Sequence, residues 1–473
     1  MENNMKSNTN KQLGTKETAA LSKQRSYNEV IEFLDAHWQS NKQDKNLSVM
    51  KKLDQALGNP SQKITTVLVA GTNGKSLTIN FTAQLLREEG LKVGSFYAPH
   101  ILTYNERLSI NNETIANKTF TEIGNDVINM AESLGVTPNS YEVLTMMALI
   151  YFKNSDVDIA LLEVSEGGTS NATNICNPKI VAITRVITAD EAVIKEAIVD
   201  ILGIVKANTY VVSADQSKLN LQVMQELVKE KGGIWSMPIR KLSALPYPFE
   251  QLHGRCAALA ERISHTFVNG FTNSDAVVAN TLLSKQKGPR GRPTLHEVKR
   301  RAENPKKTVE QFWKETTNSL PARFQLLDKE KPSVLLDNAS NLDAFKNLLL
   351  GIRLLHYQKP LKGITLVLGC NNQELDLSEF LKLLRYFFKK TSGQVIVCPV
   401  SEIPGQNEGA SWDVEQATND IKSMKIKARS AKSFKEAFEA AQKTVDERNG
   451  LVIVTGSSAI VSDYWHFKGI KKL

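Results

Sequence analysis

The sequence predicts an α/β protein of two units, a P-loop-type, mostly parallel sheet followed by a smaller, doubly wound, Rossmann-like α/β domain. Three observations predict this. Short β-branched apolar runs alternate with amphipathic stretches along the chain. One such run turns through Gly-Thr-Asn-Gly-Lys-Ser into a helical pattern. The alternation breaks between about residues 285 and 317 and resumes after Pro321.

The 473 residues suit two or three domains at roughly 100–200 residues each. A composition of 41% hydrophobic and 23% charged residues excludes a disordered or fibrous chain. The longest apolar run, Val143 to Phe152, is too short to span a bilayer, so no membrane partner is expected. Residues 1–25 are polar and lack an apolar h-region, which predicts a disordered tail rather than a signal peptide. Four cysteines without a Cys-x-x-Cys pair predict reduced thiols and a cytoplasmic protein. The net charge of +9 fits nucleic acid, a membrane surface or an anionic small substrate. No basic stretch carries interleaved aromatics, so no nucleic acid is expected, and the chain is read as a monomer.

In order, strands are predicted at Thr65–Ala70, Lys92–Tyr97, Val157–Val164, Ile180–Val186 and Thr209–Ser213. Helices are predicted at Lys75–Glu89, Phe120–Leu134 and Tyr141–Phe152. Residues 26–317 form the predicted nucleotide-binding domain, with 285–317 a basic, Gly- and Pro-containing connector. Residues 318–473 form the second domain, with strands at Ser333–Leu336, Ile364–Leu368, Gln394–Val397 and Leu451–Val454. Its predicted helices are Leu342–Leu355, Leu377–Lys390 and Phe434–Glu447.

The strongest motif is Val67-Leu-Val-Ala-Gly-Thr-Asn-Gly-Lys-Ser76. Gly71 and Gly74 admit backbone angles that other residues disfavour. The N–H groups of Gly71, Thr72, Asn73 and Gly74, with the helix N-terminus, can cradle phosphate oxygens. Lys75 reaches the terminal phosphates, and the Ser76 hydroxyl, ahead of Thr78, is the magnesium candidate. Strict Walker spacing wants glycine at position 69, where the chain has valine.

Gly-Thr-Asn-Gly-Lys after an apolar strand resembles the nucleotide loop of the Mur ligase superfamily and, within it, of folylpolyglutamate synthases. The flanks agree: Ser26 to Leu34 and Leu53 to Pro60 upstream, then Pro99-His100, Asn105-Glu106-Arg107-Leu108 and Tyr141-Glu142-Val143-Leu144-Thr145 downstream. The likeness runs from about Tyr27 to Val461 and weakens between about Ser217 and Leu320. It implies an ATP- and magnesium-dependent reaction in which a substrate carboxylate takes the γ-phosphate and the acyl phosphate is captured by an amine.

Leu161-Leu-Glu-Val-Ser-Glu-Gly-Gly168 and Asn171-Ala-Thr-Asn174 resemble the family's Glu-Val-Gly-Leu-Gly-Gly-Arg-x-Asp-Ala-Thr-Asn. The resemblance assigns Glu163 to magnesium. Ser165-Glu166 replace Gly-Leu, Thr169 replaces Arg and Asn171 replaces Asp. Asp190 stands at the family's metal-binding histidine and offers oxygen donors instead. Ile201 stands at its carbamylated lysine and offers no donor; the spacing of Lys195 and Lys206 does not make either a substitute.

In the second domain, Ala322-Arg323-Phe324-Gln325 and Val334-Leu-Leu-Asp-Asn-Ala-Ser-Asn341 resemble Gly-Arg-Phe-Gln and Ile-Leu-Asp-Gly-Ala-His-Asn. The resemblance makes Arg323 a phosphate contact and Asp337 a ribose or metal contact, with Ser340 at the family's histidine. The adenine-contact segment is aligned at Glu250-Gln251-Leu-His-Gly254, without the family's asparagine. His253 and His296 are read as surface histidines, and Lys299–Arg301 as a solvated basic face.

These readings imply a ligase joining L-glutamate to the γ-carboxylate of a folate, with Lys75, Glu163 and Asp190 in catalysis. Ser76, Glu163 and Asp190 are the expected metal ligands. A dihydrofolate synthase or a bifunctional enzyme stays open. So does a nucleotide-binding protein with little or no ligase activity, because the departures cluster at ligand positions.

Overall fold

The computed structural model describes residues 23–38, 46–188, 191–236, 243, 245–272, 308–316, 320–372, 375–405 and 409–473. Two sheets organise them. In the first, the strands lie edge to edge as Glu113–Thr114, Leu108–Ile110, Val93–Phe96, Ile159–Glu163, Thr66–Ala70, Ile180–Ile183, Tyr210–Ser213 and Ile234–Ser236. All neighbours are parallel except the hairpin 108–114 and its pairing to Val93–Phe96. The second sheet runs Ala428–Ser430, Gln394–Val397, Ile364–Leu368, Leu451–Thr455, Ser333–Asp337 and Gln325–Leu327. Only the Gln325–Leu327 edge is antiparallel.

Alternation along each strand divides its side chains between two cores. From Thr66–Ala70, Leu68 and Ala70 enter a core with Phe96, Met147 and Leu162, while Val67 and Val69 face one holding Ile79, Leu259 and Ile263. From Ser333–Asp337, Leu335 packs with Phe345 and Phe380, and Val334 and Leu336 pack with Phe438 and Tyr464. Helices cover both faces, which is why these strands read as unbroken apolar runs.

Several helix starts follow from local chemistry. Ser26 and Glu29 form a capping box before Tyr27–Ala36, and Asn139 and Glu142 form another before Ser140–Asn154. Arg25, expected in the tail, is instead buried: its backbone N–H donates to Asn125 Oδ1 at 2.8 Å, and its guanidinium bonds Asn129 and Glu132. Of the expected connector, 285–307 lies outside the described residues; Val309–Glu315 is a helix that buries Phe312 and Trp313.

The helix Phe249–Phe271 joins the two halves. Leu252 enters the core of the second sheet with Phe324 and Leu348, whereas Leu259 and Ile263 pack under the first sheet. Among the described residues no helix is long and apolar enough to cross a membrane.

Candidate active site

The strand Thr66–Ala70 ends at the loop 71–74, and the helix Lys75–Glu88 starts immediately after it. Gly71 has φ +125° and Gly74 φ +90°, values that favour glycine. A Cβ on Gly71 would strike Thr184 Oγ1 and come within 3.1–3.2 Å of the Thr184 backbone. Thr72 N–H donates to the carbonyl of Arg185 at 2.9 Å, and Thr72 Oγ1 donates to the Ile187 carbonyl at 2.9 Å. The loop is therefore fastened to the end of the neighbouring strand.

Lys75 Nζ lies over its own loop and donates to the carbonyls of Gly71 (2.9 Å), Thr72 (3.4 Å) and Ser165 (3.2 Å). Burial pulls its pKa down, and the nearby Glu163 carboxylate opposes that pull. Glu163 ends the strand Ile159–Glu163 and is only 2% exposed, so it is not a solvated strand-end acid. Burial pushes its pKa up, against Lys75, the Ser76 hydroxyl and Arg323. Its Oε2 accepts from Ala98 N–H at 3.3 Å.

The loop after Glu163 is held from two sides. Tyr141 Oη donates to the Glu163 carbonyl at 2.7 Å and accepts from Ser165 N–H at 3.4 Å. Asn171 Nδ2 donates to Ser165 Oγ (3.2 Å) and to the Glu166 carbonyl (3.0 Å). Asn171 is thus a fastener of this loop. Gly168 packs so tightly on Asp200 and Ile201 that a Cβ there would meet their backbones.

The second half closes the site. Arg323 Nη2 donates to Ser76 Oγ at 3.4 Å, which brings it to the loop 71–74 and the helix start across 247 residues of sequence. Asp337 accepts from Phe324 N–H (2.8 Å) and Ala339 N–H (2.9 Å). Burial nonetheless pushes its pKa up to about 6. Asn73 Nδ2 donates to Asn341 Oδ1 (3.0 Å) and Asp343 Oδ2 (3.1 Å), and Arg185 pairs with Asp343 Oδ1 at 3.0 Å. Around these contacts lies a cleft of about 650 Å³, lined by the loop, Glu163, Arg323, Asp337 and one side of the helix Phe249–Phe271.

The structure thus brings Thr72, Asn73, Gly74, Lys75, Ser76, Glu163, Arg323 and Asp337 to one cleft, while Gly71 packs behind the loop against Thr184. Asp190 lies outside the described residues, as do His296 and Lys299–Arg301. Ile201 is 8% exposed and packs in the apolar core. Lys206 donates to the carbonyls of Asn174 (2.8 Å) and Cys176 (2.7 Å), and Lys195 is exposed.

One expectation for the helix Phe249–Phe271 is overturned. His253 is not a surface residue: it is 6% exposed, stacks on Phe249 at 5.4 Å between centroids, and burial lowers its pKa to about 4. Gln251 faces solvent, whereas Leu252, His253, Arg255 and Cys256 line the cleft. The helix turns that face inward, since positions 252, 255, 256 and 259 share one side at 3.6 residues per turn. Sequence reasoning also missed Asn341, Asp343 and Arg185; the sole local signal was asparagine as an N-cap at 341.

For magnesium, the fitting donors are hard oxygens. Ser76 and Glu163 are both buried and their side chains interact. Among the described residues no cluster of three or more His, Cys, Asp or Glu could hold a metal. Two protein oxygens suit magnesium, which keeps several waters and takes phosphate oxygens as ligands.

No family model matches the chain. It is 31% identical over 224 residues to a dihydrofolate synthase/folylpolyglutamate synthase of Bacillus subtilis, covering 46% of this chain and 49% of the relative. It is 30% identical over 208 residues to a folylpolyglutamate synthase of Lacticaseibacillus casei, covering 42% and 48%. The chain therefore spans about half the length of these curated relatives. In structure it superposes on a Mycobacterium tuberculosis folylpolyglutamate synthase complexed with ADP, with TM-score 0.74 and 20% identity over 94% of this chain and 98% of the other. A Yersinia pestis bifunctional folylpolyglutamate synthase/dihydrofolate synthase complexed with AMPPNP and a manganese ion gives TM-score 0.70, 20% identity, and coverage of 94% and 98%. The chain has the two-sheet α/β fold of these enzymes and, over the aligned residues, resembles the folylpolyglutamate and dihydrofolate synthases in sequence.

Proposed function

We propose that the chain is an ATP-dependent ligase that joins L-glutamate to the γ-carboxylate of a folate through an acyl phosphate, acting as a monomer in the cytoplasm. The observation that carries this reading is the meeting of Lys75, Ser76 and Glu163 with Arg323 and Asp337 in one cleft between residues 26–317 and 318–473. The relatives' names support glutamate and folate as substrates. A dihydrofolate synthase or bifunctional activity fits the same site.

In this mechanism the amides of Asn73 and Gly74 and the helix start at Lys75 cradle the phosphates, while the expected Thr72 N–H is instead held by the Arg185 carbonyl. Lys75 exchanges its Ser165 carbonyl for a phosphate oxygen, and its charge rises in value where water is excluded. Arg323 reaches the same phosphates from the other half, with a planar fork suited to them. Asp337 accepts from a ribose hydroxyl. Ser76 and Glu163 would hold a magnesium ion, which supplies charge screening between phosphate oxygens. Asp190 is proposed as a further oxygen donor. The folate carboxylate oxygen attacks the γ-phosphorus and ADP leaves. The glutamate amine then attacks the acyl carbon, phosphate leaves, and the amine gives up a proton.

The test is phosphate release by the purified chain with ATP, magnesium, a reduced folate and glutamate. Glutamate-dependent release, abolished by Lys75→Ala, supports the ligase. Release without dependence on folate or glutamate makes the chain a plain ATPase. A second reading, a nucleotide-binding protein without ligation, draws on Ile201, whose aliphatic side chain packs in the core where the family resemblance calls for a lysine. ATP binding without turnover favours that reading.

A further inference from the structure

We infer that Arg185 is a polyphosphate contact of this cleft, held ready by Asp343 until nucleotide arrives. The inference rests on the nucleotide reading above and adds a residue to it. Arg185 follows the strand Ile180–Ile183, beside the loop that cradles phosphate. Its carbonyl accepts from Thr72 N–H at 2.9 Å, and its backbone forms an isolated antiparallel bridge with Asn73. The backbone position is thus fixed against the loop, while the side chain lines the cleft and stays 52% exposed.

The cations of the cleft differ in how they are held. Lys75 and Arg323 are buried beside Glu163, and Arg323 also lies near Asp337. Arg255 stands 3.9 Å from Asp215. Lys75 and Arg323 are thus held by buried acids, and Lys346 also lines the cleft. Arg185 differs because its partner has other support. Asp343 Oδ2 already accepts from Asn73 Nδ2 at 3.1 Å, and Asp343 sits in the first turn of the helix Leu342–Gln358, where the helix dipole favours an anion. Asp343 can release Arg185 without being left unpartnered. A guanidinium has five N–H donors, and the ion pair uses one nitrogen, Nη1. The triphosphate brings about four negative charges, and an arginine that can turn to them from the loop's edge meets that need.

The test compares Arg185→Gln with Asp343→Asn in calorimetric binding of AMPPNP with magnesium. Contact predicts that R185Q weakens binding about tenfold or more, that Arg185→Lys recovers part of the loss, and that D343N weakens it far less than R185Q does. A merely structural tie between the halves predicts equal weakening by R185Q and D343N, and that result overturns the inference. R185Q binding within twofold of wild type overturns it as well. A wild-type chain that binds no nucleotide overturns both this inference and the reading it rests on; wild-type binding with an indifferent R185Q overturns this one alone.

Discussion

Asn73 and Asn341, 268 residues apart, exchange a pair of hydrogen bonds: each Nδ2 donates to the other's Oδ1, at 3.0 and 2.9 Å. One asparagine belongs to the phosphate loop and the other caps the helix Leu342–Gln358, where its Oδ1 also accepts from Ala344 N–H at 3.0 Å. The two functions separate by mutation. Asn341→Ser keeps a capping hydroxyl but loses the exchange; Asn341→Ala loses both. N341A is expected to lower stability by about 1 kcal/mol more than N341S, read from urea midpoints. Asn73→Ala and N341S should weaken the same tie, so their double variant should be little worse than either alone.

Gly71 predicts a second outcome. Gly71→Ala forces a φ of +125° on a residue with a Cβ and drives that Cβ into Thr184. The expected destabilisation is about 2–3 kcal/mol, the range for overpacking at a rigid site. Thr184→Ala removes the Oγ1 clash and leaves the backbone contacts, so the G71A/T184A pair should recover only part of the loss. Full recovery of the urea midpoint would contradict this account.

Glu163 provides a third. Glu163→Gln keeps an acceptor for Ala98 N–H and removes the charge beside Lys75 and Arg323. Nucleotide binding in EDTA should hold or strengthen, because a negative group beside the phosphates is gone. The gain on adding magnesium should disappear, and turnover should fall at least about a hundredfold. Retained magnesium enhancement in calorimetry would remove Glu163 from the metal site.

The fourth concerns pH. Burial raises the Asp337 carboxyl to about 6, above the roughly 3.9 of an unfolded aspartate. The folded state therefore holds this proton more tightly. The stability this confers is fully present below about pH 4 and is lost as pH rises through about 6. Against Asp337→Asn, the wild-type urea midpoint should fall as pH rises from 4 to 7. The hydrogen bond from Phe324 N–H that the variant loses adds an offset without slope. Nucleotide affinity should move the other way, rising more steeply in the wild type than in D337N through about pH 6 as the proposed ribose acceptor ionises.

The legible part of this molecule was the part written locally. The strands Thr66–Ala70, Ile159–Glu163 and Ser333–Asp337 are buried on both faces and so carry continuous apolar runs. The loop 71–76 needs two glycines at fixed spacing, and Glu163 and Asp337 stand at strand ends. What stayed hidden was tertiary. Nothing near Asp343 or Arg185 announces that they meet. His253 looked polar and therefore exposed, yet it occupies the inward side of a 23-residue helix. The hairpin 108–114 escaped because its second strand is two residues long and gives no period. Arg25 looks like tail in the sequence because its partners, Asn125, Asn129 and Glu132, lie a hundred residues away.

The helix Phe249–Phe271 makes the halves inseparable by a simple cut. Leu252 fills space against Phe324 and beside Gly351, where a Cβ would already crowd Leu252, and Tyr247 Oη donates to the Leu354 carbonyl at 2.9 Å. A C-terminal fragment beginning at residue 318 would lose Leu252 and uncover Phe324 and Leu348. Such a fragment should self-associate, and adding back residues 245–272 as a peptide should restore it to a single species.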